Sequence, residues 1–203
     1  MSLDPATTAF LFPGQGSQSV GMGKSLAEAE PSAAAVFARA DKMLDIGLSK
    51  ICWEGPSKLL GETKHTQPAL LTHSVAVLTV LRQRMPDFQP AFCLGHSLGE
   101  ISALVAAGSI EFEEALFLVQ ERGASMSEAG QQNPGGMAAV LGLDLSSVEK
   151  VCQEASQAAS GGVWVANDNC PGQVVISGHE DALDIAASQL LEQGARRVIR
   201  LDV

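Results

Sequence analysis

Basic side chains are scarce in this sequence: 13 lysines and arginines stand against 23 aspartates and glutamates, a formal net charge of -10 over 203 residues. That balance excludes general nucleic-acid binding, which needs a basic face to meet phosphate. Long apolar runs are lacking as well. No stretch approaches the roughly 20 uninterrupted apolar residues that span a bilayer, and no basic region followed by an apolar core opens the chain. Membrane insertion and secretion are therefore not expected, and the expected location is the cytoplasm. Cysteine is sparse too: Cys52, Cys93, Cys152 and Cys170 have neither short paired spacings nor neighbouring histidines. They are expected to be ordinary thiols, with no metal site.

The composition, 46% hydrophobic and 18% charged, is that of a folded protein. The length suffices for one large domain carrying a smaller one. The stretch Phe92-Cys93-Leu94-Gly95-His96-Ser97-Leu98-Gly99-Glu100 reads as a buried strand that turns sharply at a serine between two glycines. Such spacing is that of a nucleophile elbow, in which the tight turn excludes flanking side chains and exposes the hydroxyl at a helix start. The helix-forming run from Glu100 to Ala107 follows as the elbow requires. A second glycine-bearing corner, Pro13-Gly14-Gln15-Gly16-Ser17-Gln18, follows a first strand at Thr8 to Phe12. It suits a tight turn or a phosphate cradle, although the lysine of a Walker loop is missing. Alternatively, the backbone N–H of Gln15 could serve an oxyanion beside Ser97.

Between the two corners the pattern predicts a series of helices. Thr66-Gln67-Pro68 reads as a helix entrance with Thr66 as the cap, and Ala69 to Leu81 is apolar nearly all round, so this helix should be central. Gln67 could reach a site edge from there, while His73 is expected to be a hydrogen-bonded structural residue. His96 could support the elbow or touch substrate. On the helix from about Phe112 to Ser127, Arg122 interrupts an apolar stripe, so its guanidinium needs a partner: an internal acid or a substrate carboxylate. The small and polar residues from Glu128 to Gly136 mark a boundary, predicting units at 1–131 and 132–203. The second unit reads strand, helix, strand, strand, helix, strand, the order of a ferredoxin-like fold. Its Asn167 to Gly172 segment is expected as a loop, either facing a ligand or closing a hairpin, and His179 as a local cap.

Taken together, Phe12-Pro13-Gly14-Gln15-Gly16-Ser17-Gln18, Thr66-Gln67-Pro68-Ala69, Gly95-His96-Ser97-Leu98-Gly99-Glu100, Arg122-Gly123 with Met126, and Ala166-Asn167 through Pro171-Gly172-Gln173 resemble the malonyl-CoA:acyl-carrier-protein transacylase family. The resemblance implies an α/β fold, with an α/β-hydrolase-related large domain, here incomplete, and a ferredoxin-like small domain. It implies that Ser97 takes a malonyl group from malonyl-CoA and passes it to the phosphopantetheine thiol of acyl carrier protein. The backbone amides of Gln15 and Leu98 would form the oxyanion hole, Arg122 would clamp the malonyl carboxylate, and Gln67 and His96 would line the site. Asn167 and Asn169 would face the cofactor side from a loop of the small domain. A cytoplasmic monomer with no prosthetic group and no metal is expected, with malonyl-CoA as substrate.

The family pattern is not matched throughout. The resemblance places a catalytic histidine shortly after the strand corresponding to Val198 to Val203, and none of His65, His73, His96 or His179 matches it. Without a base the Ser97 hydroxyl is weakly nucleophilic. The 203-residue chain alone is therefore expected to be inactive or weakly active, as a piece of a full transacylase. A serine esterase or thioesterase, and a noncatalytic CoA-binding or carrier-binding protein, are the alternative readings. Arg196, Arg197 and Arg200 are expected as a small basic surface for the acidic carrier.

Overall fold

The computed structural model describes residues 4–201. The chain divides into two compact units, Met1–Glu128 and Ala129–Val203. The first unit holds strand β1 (Ala9–Phe12), helices α1 (Lys24–Ala29), α2 (Pro31–Leu44), α3 (Leu48–Glu54), α4 (Ser57–Gly61) and α5 (Thr63–Arg84), strand β2 (Phe92–Gly95), helix α6 (Leu98–Ala106) and most of α7 (Phe112–Gln132).

Helix α2 starts at Pro31, whose missing N–H costs nothing in a first turn. It stops where Asp45 turns left-handed at φ 53°. Its inner face, carrying Ala33, Val36, Phe37 and Ala40, packs into a core with Leu48, Leu60, Leu71, Leu98, Leu116 and Val119. Each fully buried leucine or phenylalanine there contributes about 1.5–3 kcal/mol over its exposed state. Helix α5 runs through the middle of this core over its nearly all-round apolar stretch from Ala69 to Leu81, although Val77 there stays 45% exposed. It begins earlier than expected, however, at Thr63, so Pro68 lies inside the helix. Thr66 is not its cap; the Thr66 hydroxyl donates instead to the carbonyl of Leu60 at 2.5 Å. His73 also differs from expectation, because its buried Nδ1 has no hydrogen-bond partner among the described residues. Burial lowers the pKa of that imidazole, which favours its neutral form.

Strands β1 and β2 pair in parallel, with Ala9 opposite Phe92, Leu11 opposite Leu94 and Phe12 opposite Gly95. Among the described residues they form a two-stranded sheet. Its outward face shows Leu11, Phe92 and Leu94 at 72%, 64% and 54% exposure. Helix α7 outruns the expected end at Ser127 and continues to Gln132. Ala129, Gln131 and Gln132 are good helix formers, and only the Asn133-Pro134-Gly135 link breaks the regular backbone.

The second unit holds β3 (Gly136–Leu141), α8 (Leu145–Ala158), β4 (Val163–Cys170), β5 (Gln173–Gly178), α9 (Glu180–Glu192) and β6 (Arg197–Leu201). The sheet order is β4-β5-β3-β6, with each neighbouring pair antiparallel. This is the ferredoxin-like arrangement expected. Both helices close over one face around Ala138, Val140, Val151, Ile176, Leu183 and Leu190. Asp144 caps α8, accepting from Ser147 N at 2.9 Å. His179 occupies the cap position of α9, but its side chain makes no capping bond. Asp202 and Val203, expected to end the last strand, lie outside the described residues.

Candidate active site

The elbow is built by three close backbone approaches. β2 ends at Gly95, and the next residue, His96, donates its N–H to Phe12 O of β1 at 3.1 Å. Ser97 then takes φ 52° and ψ -110°, a conformation that a side-chain-bearing residue rarely adopts. A Cβ on Gly95 would lie 1.9 Å from the carbonyl carbon of Gly99, and a Cβ on Gly99 only 2.1 Å from Phe12 O. Glycine at both positions is thus required, because strand, turn and helix pass within one backbone thickness of each other. Ser97 is left exposed at the head of α6, and Leu98, the first helical residue, is buried. Its amide stands in the first turn, where no preceding turn supplies a carbonyl.

The loop after β1 comes to the same place. The imidazole of His96 lies along Gly14, where a Cβ would sit 2.9 Å from its Nδ1. Gln15 is half-buried and tethered by its side chain, whose Nε2 donates to the Thr63 hydroxyl at 3.2 Å. Thr63 was not singled out in the sequence. Its one available signal is that it stands four residues before Gln67, on the same helix face.

Arg122 reaches Ser97 from α7. Its Nη2 donates to Ser97 Oγ at 3.0 Å and its Nη1 to Gln67 Oε1 at 2.8 Å. Both partners are neutral, and among the described residues no carboxylate pairs with this guanidinium. Of the two partners expected for an arginine on an apolar stripe, the internal acid is thus not the one found. Gln67 is 1% exposed, and its Nε2 donates to Met126 Sδ at 3.1 Å. Gly123, which the sequence shows only as part of the Arg122-Gly123 motif and without a role, packs against α5. A Cβ there would lie 3.0 Å from Lys64 Cα and 3.1 Å from Thr63 O. Its signal is a lone glycine inside an otherwise regular helical pattern, which marks close packing.

Ser97, Leu98, Gln15, His96, Gln67 and Arg122 all belong to the first unit. Asn167 and Asn169 belong to the second and lie on strand β4, not in a loop. Asn167 pairs with Val175, and the register slips on either side of the Asn167-Asp168 pair, leaving Asn169 as an inserted residue on an edge strand. Of the remaining histidines, His65 turns Nδ1 to Leu59 O at 3.0 Å, while Gly161 lies against the His179 ring. No group of three metal-ligating side chains occurs among the described residues.

A two-unit α/β fold with an elbow serine under a guanidinium that has no carboxylate partner among the described residues defines the class: a serine-elbow protein related to the α/β hydrolases, carrying a ferredoxin-like second unit. Residues 9–203 match the acyl transferase domain, and the chain belongs to that family. It is 46% identical over 195 residues to the malonyl CoA-acyl carrier protein transacylase of Bacillus subtilis, covering 96% of this chain and 61% of that protein. Against the transacylase of Escherichia coli K12 the identity is again 46%, with 96% and 62% covered. Among solved structures, the transacylase of Coxiella burnetii superposes with a TM-score of 0.91 at 40% identity, over 98% of this chain and 62% of that one. A malonyl-transacylase solved in complex with a type II PKS acyl-carrier protein gives a TM-score of 0.88 at 42% identity, covering 96% and 62%. The chain thus spans about three fifths of the length of these relatives.

Proposed function

We propose that this chain carries the acyl-accepting centre of a malonyl-CoA:acyl carrier protein transacylase. The observation that carries the reading is Arg122: a guanidinium 3.0 Å from Ser97 Oγ whose only described partners are neutral. An arginine has five N–H donors, and these two bonds leave the rest for a carboxylate. A dicarboxylic thioester bound there would place its free carboxylate on Arg122 and its reacting carbonyl over Ser97.

The chemistry follows from the positions. Ser97 Oγ attacks the thioester carbonyl and loses its proton to a base. The oxyanion is met by the amides of Gln15 and Leu98, and collapse breaks the C–S bond and releases CoA as its thiol, leaving the malonyl ester on Ser97. The phosphopantetheine thiol of acyl carrier protein then repeats the sequence in reverse and takes the malonyl group. This scheme uses no prosthetic group, and malonyl-CoA enters as substrate. A cytoplasmic setting is part of the proposal; among the described residues no helix is long and apolar enough to cross a membrane. For the acidic carrier, Arg196 and Arg197 remain candidate contacts, whereas Arg200 is held within its own unit by Glu180 at 3.0 Å and Asp184 at 2.5 Å.

We assign no histidine of this chain as the base for Ser97, and infer that the 203 residues alone acylate slowly. Intact-mass measurement after mixing the 21.1 kDa chain with malonyl-CoA tests the reading. One malonyl adduct is expected, on Ser97, absent from Ser97→Ala and formed faster when imidazole is supplied as an external base. An adduct on another residue overturns the role of Ser97. Fast acylation without imidazole overturns the need for a further base.

A further inference from the structure

We propose that Gln67 is a positioning residue, not a substrate contact, and that together with Gly123 it sets the acyl selectivity of the site by holding the Arg122 guanidinium over Ser97. This rests on the reading of Arg122 as a carboxylate clamp. A residue that contacts substrate must present a polar atom to open space. Gln67 does not: it is 1% exposed, with Oε1 taken by Arg122 and Nε2 by Met126 Sδ.

The chemistry of the two neighbours fixes which way the amide faces. A guanidinium only donates, so it must meet the amide oxygen; a thioether only accepts, so it must meet the amide nitrogen. Reversing the amide would turn two donors towards Arg122 and leave the sulfur without one. Arg122 and Met126 are four residues apart on α7 and so face the same side. They grip Gln67 from two points one helical turn apart, and the guanidinium is held through Nη1 with Nη2 directed at Ser97.

The distance between the helices is set by Gly123. With a Cβ 3.0 Å from Lys64 Cα, any larger residue forces α7 away from α5 by a few tenths of an ångström. The crossing lies where Pro68 cannot donate to the carbonyl of Lys64, so the α5 backbone is already open on that turn. Separating the helices lengthens the 2.8 Å Arg122–Gln67 bond and frees a long, rotamer-rich side chain. What is lost is discrimination between a charged and an uncharged acyl group. Affinity for the CoA portion should remain.

Calorimetric binding of malonyl-CoA and acetyl-CoA to the 203-residue chain tests this, with thermal midpoints recorded for every variant. The wild type should prefer malonyl-CoA and Arg122→Ala should abolish the preference. Gln67→Leu and Gly123→Ala should each reduce it about tenfold while acetyl-CoA affinity stays within about twofold. Gln67→Met decides between positioning and packing. It keeps the length and the volume without the amide oxygen and adds no charge, so a Gln67 that only packs would leave the preference intact, whereas loss of the amide acceptor frees Arg122 and should reduce it. If Gln67→Leu does not fold, Gln67→Met and Gly123→Ala give the answer alone. Loss of preference in Arg122→Ala with full retention in Gln67→Met and Gly123→Ala overturns the positioning role and leaves the clamp standing. No preference in the wild type, or its survival in Arg122→Ala, overturns clamp and positioning together.

Discussion

Replacing Gly99 with alanine tests the elbow most directly. The new Cβ would stand 2.1 Å from Phe12 O, 2.8 Å from Phe12 C and 2.9 Å from Pro13 O. A carbon and a carbonyl oxygen need somewhat more than 3 Å, so the start of α6 must withdraw from β1 by about 1 Å. That motion strains the His96 N to Phe12 O bond of 3.1 Å and the packing of Leu98, which is 1% exposed. A lost backbone bond at about 1 kcal/mol and overpacking at about 1–3 kcal/mol give a destabilisation of about 2–4 kcal/mol. The two tryptophans make this measurable by unit, because Trp53 lies in the first unit and Trp164 in the second. In a Trp164→Phe background, urea unfolding followed by fluorescence reports the first unit. With a slope of about 2 kcal/mol per molar, its midpoint should fall by about 1–2 M, and the mirror experiment with Trp53→Phe should show the second unit unmoved. Ser97 acylation should drop about a hundredfold, the usual cost of a reacting group displaced by about 1 Å. An unchanged Trp53 midpoint would refute the close-approach argument; a lowered midpoint with full acylation would refute the link from elbow geometry to chemistry.

Arg122→Ala should weaken malonyl-CoA binding by about 2–3 kcal/mol, a factor of about 30–150, since a half-buried charge-assisted contact of this kind is worth that much. Acetyl-CoA titrated in parallel should be nearly unaffected; equal losses for both would refute the clamp. For pH, the Asp144 carboxyl is held at about 2 by the Ser146 hydroxyl and by the amide and hydroxyl of Ser147. A carboxylate whose folded pKa is depressed stabilises the fold above its unfolded pKa and loses that contribution as pH falls through the folded one. The second unit should therefore weaken between about pH 4 and about pH 2, and Asp144→Asn should flatten that dependence in Trp164 fluorescence. Burial pushes the Cys52 thiol up to about 12 and the Cys152 thiol up to about 11. A disulfide reagent at pH 8 should thus label exposed Cys170 first and leave Cys52 and Cys152 unlabelled until the chain unfolds, as peptide mapping would read.

Much of this site is legible in the sequence because its constraints are local. The elbow needs glycine at 95 and 99 whatever surrounds it, and the periodicity of α7 already isolates Arg122 on an apolar face. The small unit is legible for the same reason, as alternation and helical spacing change where β3, α8 and β4 meet. Misreadings arise where tertiary contacts override local signals. Pro68 resembles a helix start, yet Glu62 N-terminal to it already supplies carbonyl acceptance to His65 and Thr66 at 2.7 and 2.8 Å, extending α5 backwards. Asn167 to Cys170 have turn-forming composition, but pairing with β5 draws them into a strand that tolerates them through two slips in register. The grip on Gln67 depends on two helices crossing and has no local signature at all.

The outward side of the small parallel sheet has a practical consequence for handling. Ala9, Leu11, Phe92 and Leu94 follow one another on alternate positions of two paired strands, so their side chains form one continuous water-facing ladder. A flat apolar surface of this kind is where colliding molecules adhere, and the net charge of -10 is the main force holding them apart. Salt screens that repulsion while leaving the ladder intact. Concentrated samples will therefore be clearest in dilute buffer, and threonine at positions 11 and 92, which keeps the strand while wetting its outer side, is the natural route to a more soluble protein.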